Sequence, residues 1–312
     1  MASFAANCLV DKLCSDVNLL CLNPNSQNVY GPADIAVLMD RAMSLVVVPL
    51  IKSAQQDYFV YNVDLTISAG VTSYTIPQRA VGNALRDVVL VDSAGNEVAL
   101  NNLMREYIKV KTPFNFVPSI FSFGMYMTAN EVNLYNTLIQ TYTAYKLRFI
   151  TERRPGGLTL STNCGQITAI TGNVLTLSNV DQSWTTATTF DIINQLPPFQ
   201  TRGDDLAISL IAGQQITVTN LPSSVQKGDW FCPAMLSCIP QIPYEMFPLL
   251  SECAAATLGK GLDMAQFLAA CNAIVEIYKS NSLTLIRPRV TGSPKLIINR
   301  DNTTQYGGRG YR

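Results

Sequence analysis

Residues 167–177 (ITAITGNVLTL) match residues 208–218 (ISLIAGQQITV) at a constant offset of 41 positions. Phe190 and Phe231 keep the same offset. In the first copy, Gly172-Asn173 lies between two alternating apolar segments, which is typical of a two-residue hairpin turn in which glycine takes a positive φ. The repeat therefore predicts two related β modules that pack together.

The repeat lies in a part of the chain that carries almost no charge. Between Pro155 and Thr201 the charged residues are Asp181 and Asp191, with no lysine or arginine. Over all 312 residues only 14% are charged, the net charge is zero and the mean hydropathy is +0.17. The surface of a soluble monomer usually carries dense charge of both signs. We therefore expect the chain either to enter a membrane or to bury much of its surface against partners.

The membrane alternative is not supported by the hydrophobic segments. The most apolar helical stretch has an uncharged part of ten residues, 42–51, whereas a membrane span needs about twenty. The first residues lack the basic region of a signal peptide, so none is expected. Burial within an assembly is the remaining explanation.

Both ends of the chain show helical periodicity, and the middle does not. Apolar residues from Ile35 to Pro49 recur at spacings of three and four, and Pro49 is expected to kink or end the helix. Residues 241–283 predict two helices joined by a short turn at Gly259-Lys260-Gly261, an αα-hairpin. Residues 58–154 are rich in β-branched and aromatic residues and predict strands.

The predicted fold class is α+β. A helical bundle, made of the N-terminal helices and the C-terminal αα-hairpin, contains an inserted antiparallel β-rich region with the duplicated β module. The predicted domains are 1–57 (N-terminal helices), 58–154 (β-rich insert), 155–240 (duplicated module), 241–283 (αα-hairpin) and 284–312 (extended basic arm).

Composition argues against the common enzyme classes. The chain has no histidine, which removes Ser-His-Asp triads, Cys-His pairs and histidine-ligated metal sites. Gly259-Lys260-Gly261 lacks the upstream glycine spacing of a phosphate-binding loop. We predict a protein that is not an enzyme, with no catalytic residue, no cofactor and no metal ligand.

The eight cysteines are predicted to be free and buried. None forms a C-x-x-C motif, and no two close pairs are spaced as in a zinc knuckle. With no secretory signal, reduced core thiols are the favoured interpretation. They are Cys8, Cys14, Cys21, Cys164, Cys232, Cys238, Cys253 and Cys271.

Two local charge clusters could carry chemistry. Asp204-Asp205 follows Arg202-Gly203 and suggests a metal or carboxylate pair, but adjacent residues usually point apart, so a solvated turn is favoured. Arg153-Arg154 before Pro155 could face nucleic acid, and again a solvated turn is the favoured interpretation.

The C-terminal arm concentrates positive charge. Residues 284–312 hold six basic groups and one acidic group, a net charge of +5, and residues 1–283 carry 16 − 21 = −5. Basic groups alternate with apolar residues, as suits an extended arm that adds a strand to, or wraps around, a neighbouring subunit. A disordered tail and weak contact with DNA are the alternatives. The residues predicted to dock are Arg287, Arg289, Lys295 and Arg300.

Three segments resemble structural proteins of tailed bacteriophages. Residues 73–88 (SYTIPQRAVGNALRDV), residues 228–250 with the helix pair that follows, and residues 288–300 (PRVTGSPKLIINR) are similar to segments of such proteins. Together they cover roughly half of the chain in pieces, and the arm is the most specific part. The chain resembles head-to-tail adaptor, or connector-ring, subunits of short-tailed or crAss-like phages.

The resemblance implies a structural virion protein that assembles in the cytoplasm of a bacterial host. Such subunits form a homo-oligomeric ring, commonly dodecameric, under the portal protein. The ring links capsid to tail and lines the channel through which packaged DNA passes. The arm would dock on the portal, and the β parts would face tail nozzle or tail-fibre proteins. No membrane is involved.

Two alternatives remain open from the sequence. The first is another part of the same virion, a tail nozzle or neck-ring protein. The second belongs to a different class, a carbohydrate-binding or carbohydrate-hydrolysing β protein in which Asp204, Asp205 or Glu131 would supply carboxylates.

Overall fold

The computed structural model describes residues 7–21, 30–102, 124–135, 143–261 and 265–286. The arm from position 287 onward, with the predicted docking residues Arg287, Arg289, Lys295 and Arg300, lies outside the described residues.

The N-terminal part is helical, as its periodicity predicts. Helix α1 is Val10–Leu20, α2 is Pro32–Ala42 and α3 is Val48–Ala54. At the start of α2 the carboxylate of Asp34 accepts a hydrogen bond from the N–H of Gly31 at 2.9 Å. Of the two outcomes predicted at Pro49, a kink or the end of the regular helix, the helix does not end: a π-helical turn, Met43–Val47, interrupts the regular α-helix just before Pro49, and the helix continues as α3. The wider turn accommodates a proline that cannot donate a backbone hydrogen bond.

The C-terminal helices form the predicted antiparallel pair. Helix α4 is Phe247–Gly261 and α5 is Ala265–Ile286. Helix α4 continues through Gly259, where a break was expected. A Cβ at this position would lie 2.5 Å from the ring of Phe267, so glycine allows α5 to approach closely. Helix α4 packs against α1, α2 and α5 and is the most buried of these helices.

The insert contains two four-stranded sheets that share one hydrophobic core. Phe149 and Leu147 of the first sheet and Val132 of the second are buried between them. The first sheet has the order β1-β8-β3-β4 and the second the order β2-β7-β6-β5. The strands are β1 Val60–Thr66, β2 Ser73–Thr75, β3 Ala80–Val91, β4 Glu97–Ala99, β5 Asn101–Asn102, β6 Gly124–Thr128, β7 Glu131–Tyr135 and β8 Lys146–Arg153.

Residues 155–240 contain a closed six-stranded barrel in the order β10-β11-β14-β13-β12-β15. A short parallel pair, β9 and β16, flanks it. The bounds are β9 Gly157–Leu158, β10 Gly165–Thr171, β11 Val174–Leu177, β12 Thr189–Ile193, β13 Thr201–Ala212, β14 Gln215–Val218, β15 Trp230–Pro233 and β16 Leu236–Ser237.

The two sequence copies are related by an approximate two-fold axis through the barrel. Leu175 pairs with Ile216, and Asp191 pairs with Cys232, so at both places each residue faces its own counterpart 41 positions away. The bulges in the two hairpins also correspond. The side chain of Thr168 donates to the carbonyl of Thr176 at 2.9 Å, and Ser209 donates to Thr217 at 3.2 Å.

The copies exchange strands to close the barrel. β12 of the first copy pairs with β13 of the second, and β15 of the second pairs with β10 of the first. At the centre the rings of Phe190 and Phe231 stack with centroids 4.7 Å apart. Each copy therefore completes its core only by pairing with the other.

The architecture of the described residues is mixed, with helices at both ends and antiparallel strands between them, so the α+β class is confirmed. None of the helices in the described ranges is both long enough and apolar enough to cross a membrane.

Candidate assembly interface

Helix α5 is apolar but largely uncovered. Of its described side chains, Cys271, Val275 and Ile286 are buried. Ile277 and Leu285 are 59% and 61% exposed. Monomeric surfaces rarely leave apolar residues grouped in this way, and such groups mark interaction sites.

An acidic groove runs along one side of the helix pair, between α1, α4 and the C-terminal half of α5. Its volume is about 810 Å³. Leu19 on its edge is 73% exposed. The charged residues that line it are Lys12, Asp16, Glu245 and Glu252, a net charge of 1 − 3 = −2.

A basic groove lies between the α2 end, α4 and the N-terminal half of α5. Its volume is about 900 Å³. Leu45, from the π-helical turn, lies on its edge and is 66% exposed. The charged residues that line it are Arg41, Lys260, Lys279 and Glu276, a net charge of 3 − 1 = +2.

The two grooves lie on opposite sides of the helix pair. On α4 the acidic groove is lined by residues 247, 248, 251 and 252, and the basic groove by 253, 256, 257 and 260. At about 100° per residue, the two sets point about 160° apart. The hairpin therefore presents apolar surface with opposite charge on its two sides.

Glu252 in the wall of the acidic groove gives a pH-dependent prediction. Burial raises the pKa of this carboxyl, and a hydrogen bond from Cys271 offsets part of the increase. Because the folded state holds the proton more tightly, this group lowers stability as the pH rises above the unfolded value near 4.3. Glu252→Gln is expected to increase the free energy of unfolding at pH 7.

Urea unfolding of the wild type and Glu252→Gln between pH 3.5 and 7 measures this effect. The gain should vanish below about pH 4, where glutamate is protonated in both states. Asp92→Asn is the control of opposite sign, since hydrogen bonds from Asn96 lower the pKa of Asp92 and its replacement should reduce stability at pH 7. A gain for Glu252→Gln that does not depend on pH would contradict the argument.

The barrel and the insert are joined by a buried ion cluster centred on Arg79. Its guanidinium donates two hydrogen bonds to Asp191, at 2.7 and 2.9 Å. Two more reach Asp205, at 3.1 and 2.6 Å. The side chains of Arg79 and Asp191 are 9% and 3% exposed.

The same cluster corrects two interpretations of the sequence. Asp204 accepts hydrogen bonds from Arg153, at 2.5 and 3.1 Å, and from the hydroxyl of Tyr61. The Arg153 guanidinium also lies 4.9 Å from the centre of the Tyr61 ring. The prediction that Asp204, Asp205 and Arg153 lie in solvated turns is therefore wrong. They belong to strands β13 and β8 and hold the insert on the barrel.

Glu131, the other carboxylate considered for sugar chemistry, lies in β7 of the insert. It accepts a hydrogen bond from the hydroxyl of Ser73 at 2.6 Å. Asp204 and Asp205 are bound by the arginines of the ion cluster. The structure thus gives each of these carboxylates a structural partner.

All eight cysteines lie in the described residues, where they are buried and form no disulfide, as predicted. What sequence spacing did not indicate is a thiol cluster, formed by Cys164, Cys232 and Cys238, whose Sγ atoms all lie within 4.8 Å of one another. Cys164 precedes β10, Cys232 is in β15 and Cys238 follows β16. These elements meet where the outer face of the barrel contacts the helices.

No protein-family model matches the chain, and no curated protein matches it. Its function is therefore inferred from the resemblance of its segments and from the surfaces described above.

Proposed function

We propose that the protein is a subunit of the head-to-tail connector ring of a tailed bacteriophage. The observation that supports this function best is the pair of grooves on opposite sides of the α4–α5 hairpin. They have apolar edges, similar volumes and net charges of −2 and +2. The resemblance of three sequence segments to connector proteins supports the same function.

In this proposal the acidic groove of one subunit contacts the basic groove of the next. A heterologous contact of this kind repeats around an axis and closes into a ring when the rotation permits. Each contact removes apolar side chains such as Leu19 and Leu45 from water, at about 25 cal/mol per Å² of apolar area. Contacts that are individually weak then stabilise the ring together.

The remaining parts of the chain take their roles from this arrangement. The helices form a bundle around the channel for packaged DNA, in a ring that is commonly twelvefold. The arm, through Arg287, Arg289, Lys295 and Arg300, docks on the portal protein. The insert and the barrel face tail nozzle or tail-fibre proteins. The protein acts in the virion as a structural component and has no enzymatic role.

A second candidate is a tail nozzle or neck-ring subunit of the same virion. The size of the β part favours it, because the two sheets and the barrel lie between Val60 and Pro233, more than a connector built mainly of helices needs.

Reversing the charge of one groove is expected to abolish the ring. A basic-groove variant, Arg41→Glu with Lys260→Glu, gives every subunit two acidic grooves. An acidic-groove variant, Asp16→Lys with Glu245→Lys, gives every subunit two basic grooves. Each variant alone should be monomeric by sedimentation velocity at micromolar concentration, with an unchanged far-ultraviolet circular dichroism spectrum, because like charges then face each other at every contact.

The decisive experiment mixes the two variants in equal amounts. An alternating ring then has opposite charges at every contact, so oligomers with an even number of subunits should reappear. Lys227→Glu, an exposed reversal on the barrel, is the matched control and should leave the ring intact. A wild type that stays monomeric at high concentration, or a mixture that does not assemble, would overturn the proposed contact.

A further inference from the structure

We propose that the thiol cluster of Cys164, Cys232 and Cys238 binds a soft, thiophilic d10 cation, Zn²⁺ or Cu⁺. The proposal concerns the interior of one subunit and does not depend on the connector function.

The spacing of the sulfur atoms fits a common ion. The Sγ atoms of Cys232 and Cys238 are 3.9 Å apart, and all three lie within 4.8 Å of one another. With metal–sulfur bonds of about 2.3 Å, thiolates around one ion are separated by about 3.8 Å in tetrahedral geometry and about 4.0 Å in trigonal geometry. The cluster therefore needs only small side-chain movements to coordinate an ion.

The repeat supplies an independent observation. Cys232 and Cys164 lie 41 positions from Asp191 and Asp205, so across the two-fold axis they correspond to the residues that hold Arg79. The site that holds Arg79 thus takes one carboxylate from each copy, and at the equivalent place each copy contributes one thiol, Cys164 and Cys232. Asp191 and Cys232 are themselves paired across β12 and β15. Sulfur in place of oxygen changes the preferred cation from a hard to a soft one.

Metal binding at the cluster exchanges the thiol protons for the ion. Binding forms three metal–sulfur bonds and releases the protons of the three thiols. The complex then carries a net charge of −1 with Zn²⁺ or −2 with Cu⁺.

Such an ion would fasten three segments at the junction of barrel and helices. The N–H of Val10 donates to the carbonyl of Cys238 at 2.9 Å, so α1 begins on the same segment. All three cysteines are fully buried at 0% exposure, so a bound ion would be shielded from solvent. We therefore expect the ion to stabilise the fold, because binding favours the state in which the site exists.

Anaerobic titration of the purified, reduced full-length chain tests the site. One titration uses Zn²⁺ and the other Cu⁺, and each is followed by gel filtration and elemental analysis. We expect about one ion per chain in at least one of the two titrations, and a melting temperature above that of the chelator-treated protein. Cys232→Ala should lose the bound ion and the rise in melting temperature. Cys253→Ala, which removes a buried thiol in α4, should keep both.

A measurement on the wild type keeps the test valid if Cys232→Ala does not fold. Mass spectrometry after brief alkylation under mildly denaturing conditions should show that the ion protects the cluster cysteines and leaves Cys14 and Cys253 unprotected. Binding below about a tenth of an ion per chain in both titrations would overturn the proposal. So would a loss of the bound ion in Cys253→Ala as large as that in Cys232→Ala.

Discussion

Replacing Arg79 with alanine is expected to lower the free energy of unfolding by about 3–5 kcal/mol, the cost of breaking a buried ion pair. The guanidinium makes four hydrogen bonds to Asp191 and Asp205. Without it, Asp191 keeps backbone hydrogen bonds from Asp205 and Met235, at 3.0 and 2.9 Å. Its charge then has no partner in a site that is almost completely buried. Denaturant unfolding followed by circular dichroism measures the loss.

The loss should come mainly from the buried charge that is left behind. Removing both partners, as in Arg79→Met with Asp191→Asn, is therefore expected to cost less than Arg79→Met alone, because no uncompensated carboxylate remains. A double-mutant cycle separates the coupling between the two residues from the effect of each change by itself.

Arg148→Ala is the matched control. Arg148 makes equally short hydrogen bonds, to Asp64 at 2.7 and 2.8 Å and to Glu97 at 2.8 Å. Its partners are 33% and 48% exposed, and solvent-exposed pairs contribute about 0–1 kcal/mol. Similar losses for Arg79→Ala and Arg148→Ala would show that burial of the ion cluster does not determine its contribution.

The repeat could be predicted from the sequence because its information is local. Alternating apolar residues around Gly172 and Gly213 specify two hairpins, and both glycines take a positive φ, 59° and 61°. The closed barrel could not be predicted in the same way. Its closure depends on pairing β12 with β13 and β15 with β10. These pairings join strands of different copies, and the alternation of apolar residues within each hairpin does not indicate them.

The ion cluster was missed for a related reason. Adjacent residues on a regular strand point to opposite faces, so Asp204 and Asp205 were expected to point apart. The structure has a bulge there, with two residues opposite Asp191 and a φ of 49° at Asp205. The bulge brings both carboxylates to the arginines of the insert. Because these arginines are far from Asp204 and Asp205 in the sequence, local sequence patterns do not predict the contact.

The sequence predicts the total charge of residues 1–283 but not the separate charge of each groove. The sequence indicates an acidic body from its net charge of −5 for residues 1–283. Which side of the hairpin becomes basic depends on how α1 and α2 cover α4. Arg41 joins Lys260 on one side and Asp16 joins Glu245 on the other, an arrangement that requires the tertiary fold.

The ion cluster and the thiol cluster place the barrel between the insert and the helices. Through Asp191 its outer face holds the insert, and through Cys232 it contacts the hydrophobic core of the helices. The barrel's own core is centred on the stacked rings of Phe190 and Phe231.

Phe231→Ala and Phe190→Ala are each expected to lower the free energy of unfolding by about 3–5 kcal/mol. Both rings are fully buried, stack with centroids 4.7 Å apart and contact Trp184. Each substitution leaves a cavity that a closed barrel cannot collapse to fill. Because the two-fold axis relates the positions, the two losses should be similar, and the double variant should lose less than their sum since both share one contact.

The control for this pair is Leu210→Ala. Leu210 lies on β13 of the same barrel but is 57% exposed, so its replacement should change stability by less than about 0.5 kcal/mol. Denaturant unfolding of the four variants against the wild type provides the comparison. Strictly additive losses for Phe190 and Phe231, or a loss for Leu210→Ala as large as theirs, would mean that the two copies do not share a single core. The barrel would then be two hairpin units held edge to edge, each free to open separately.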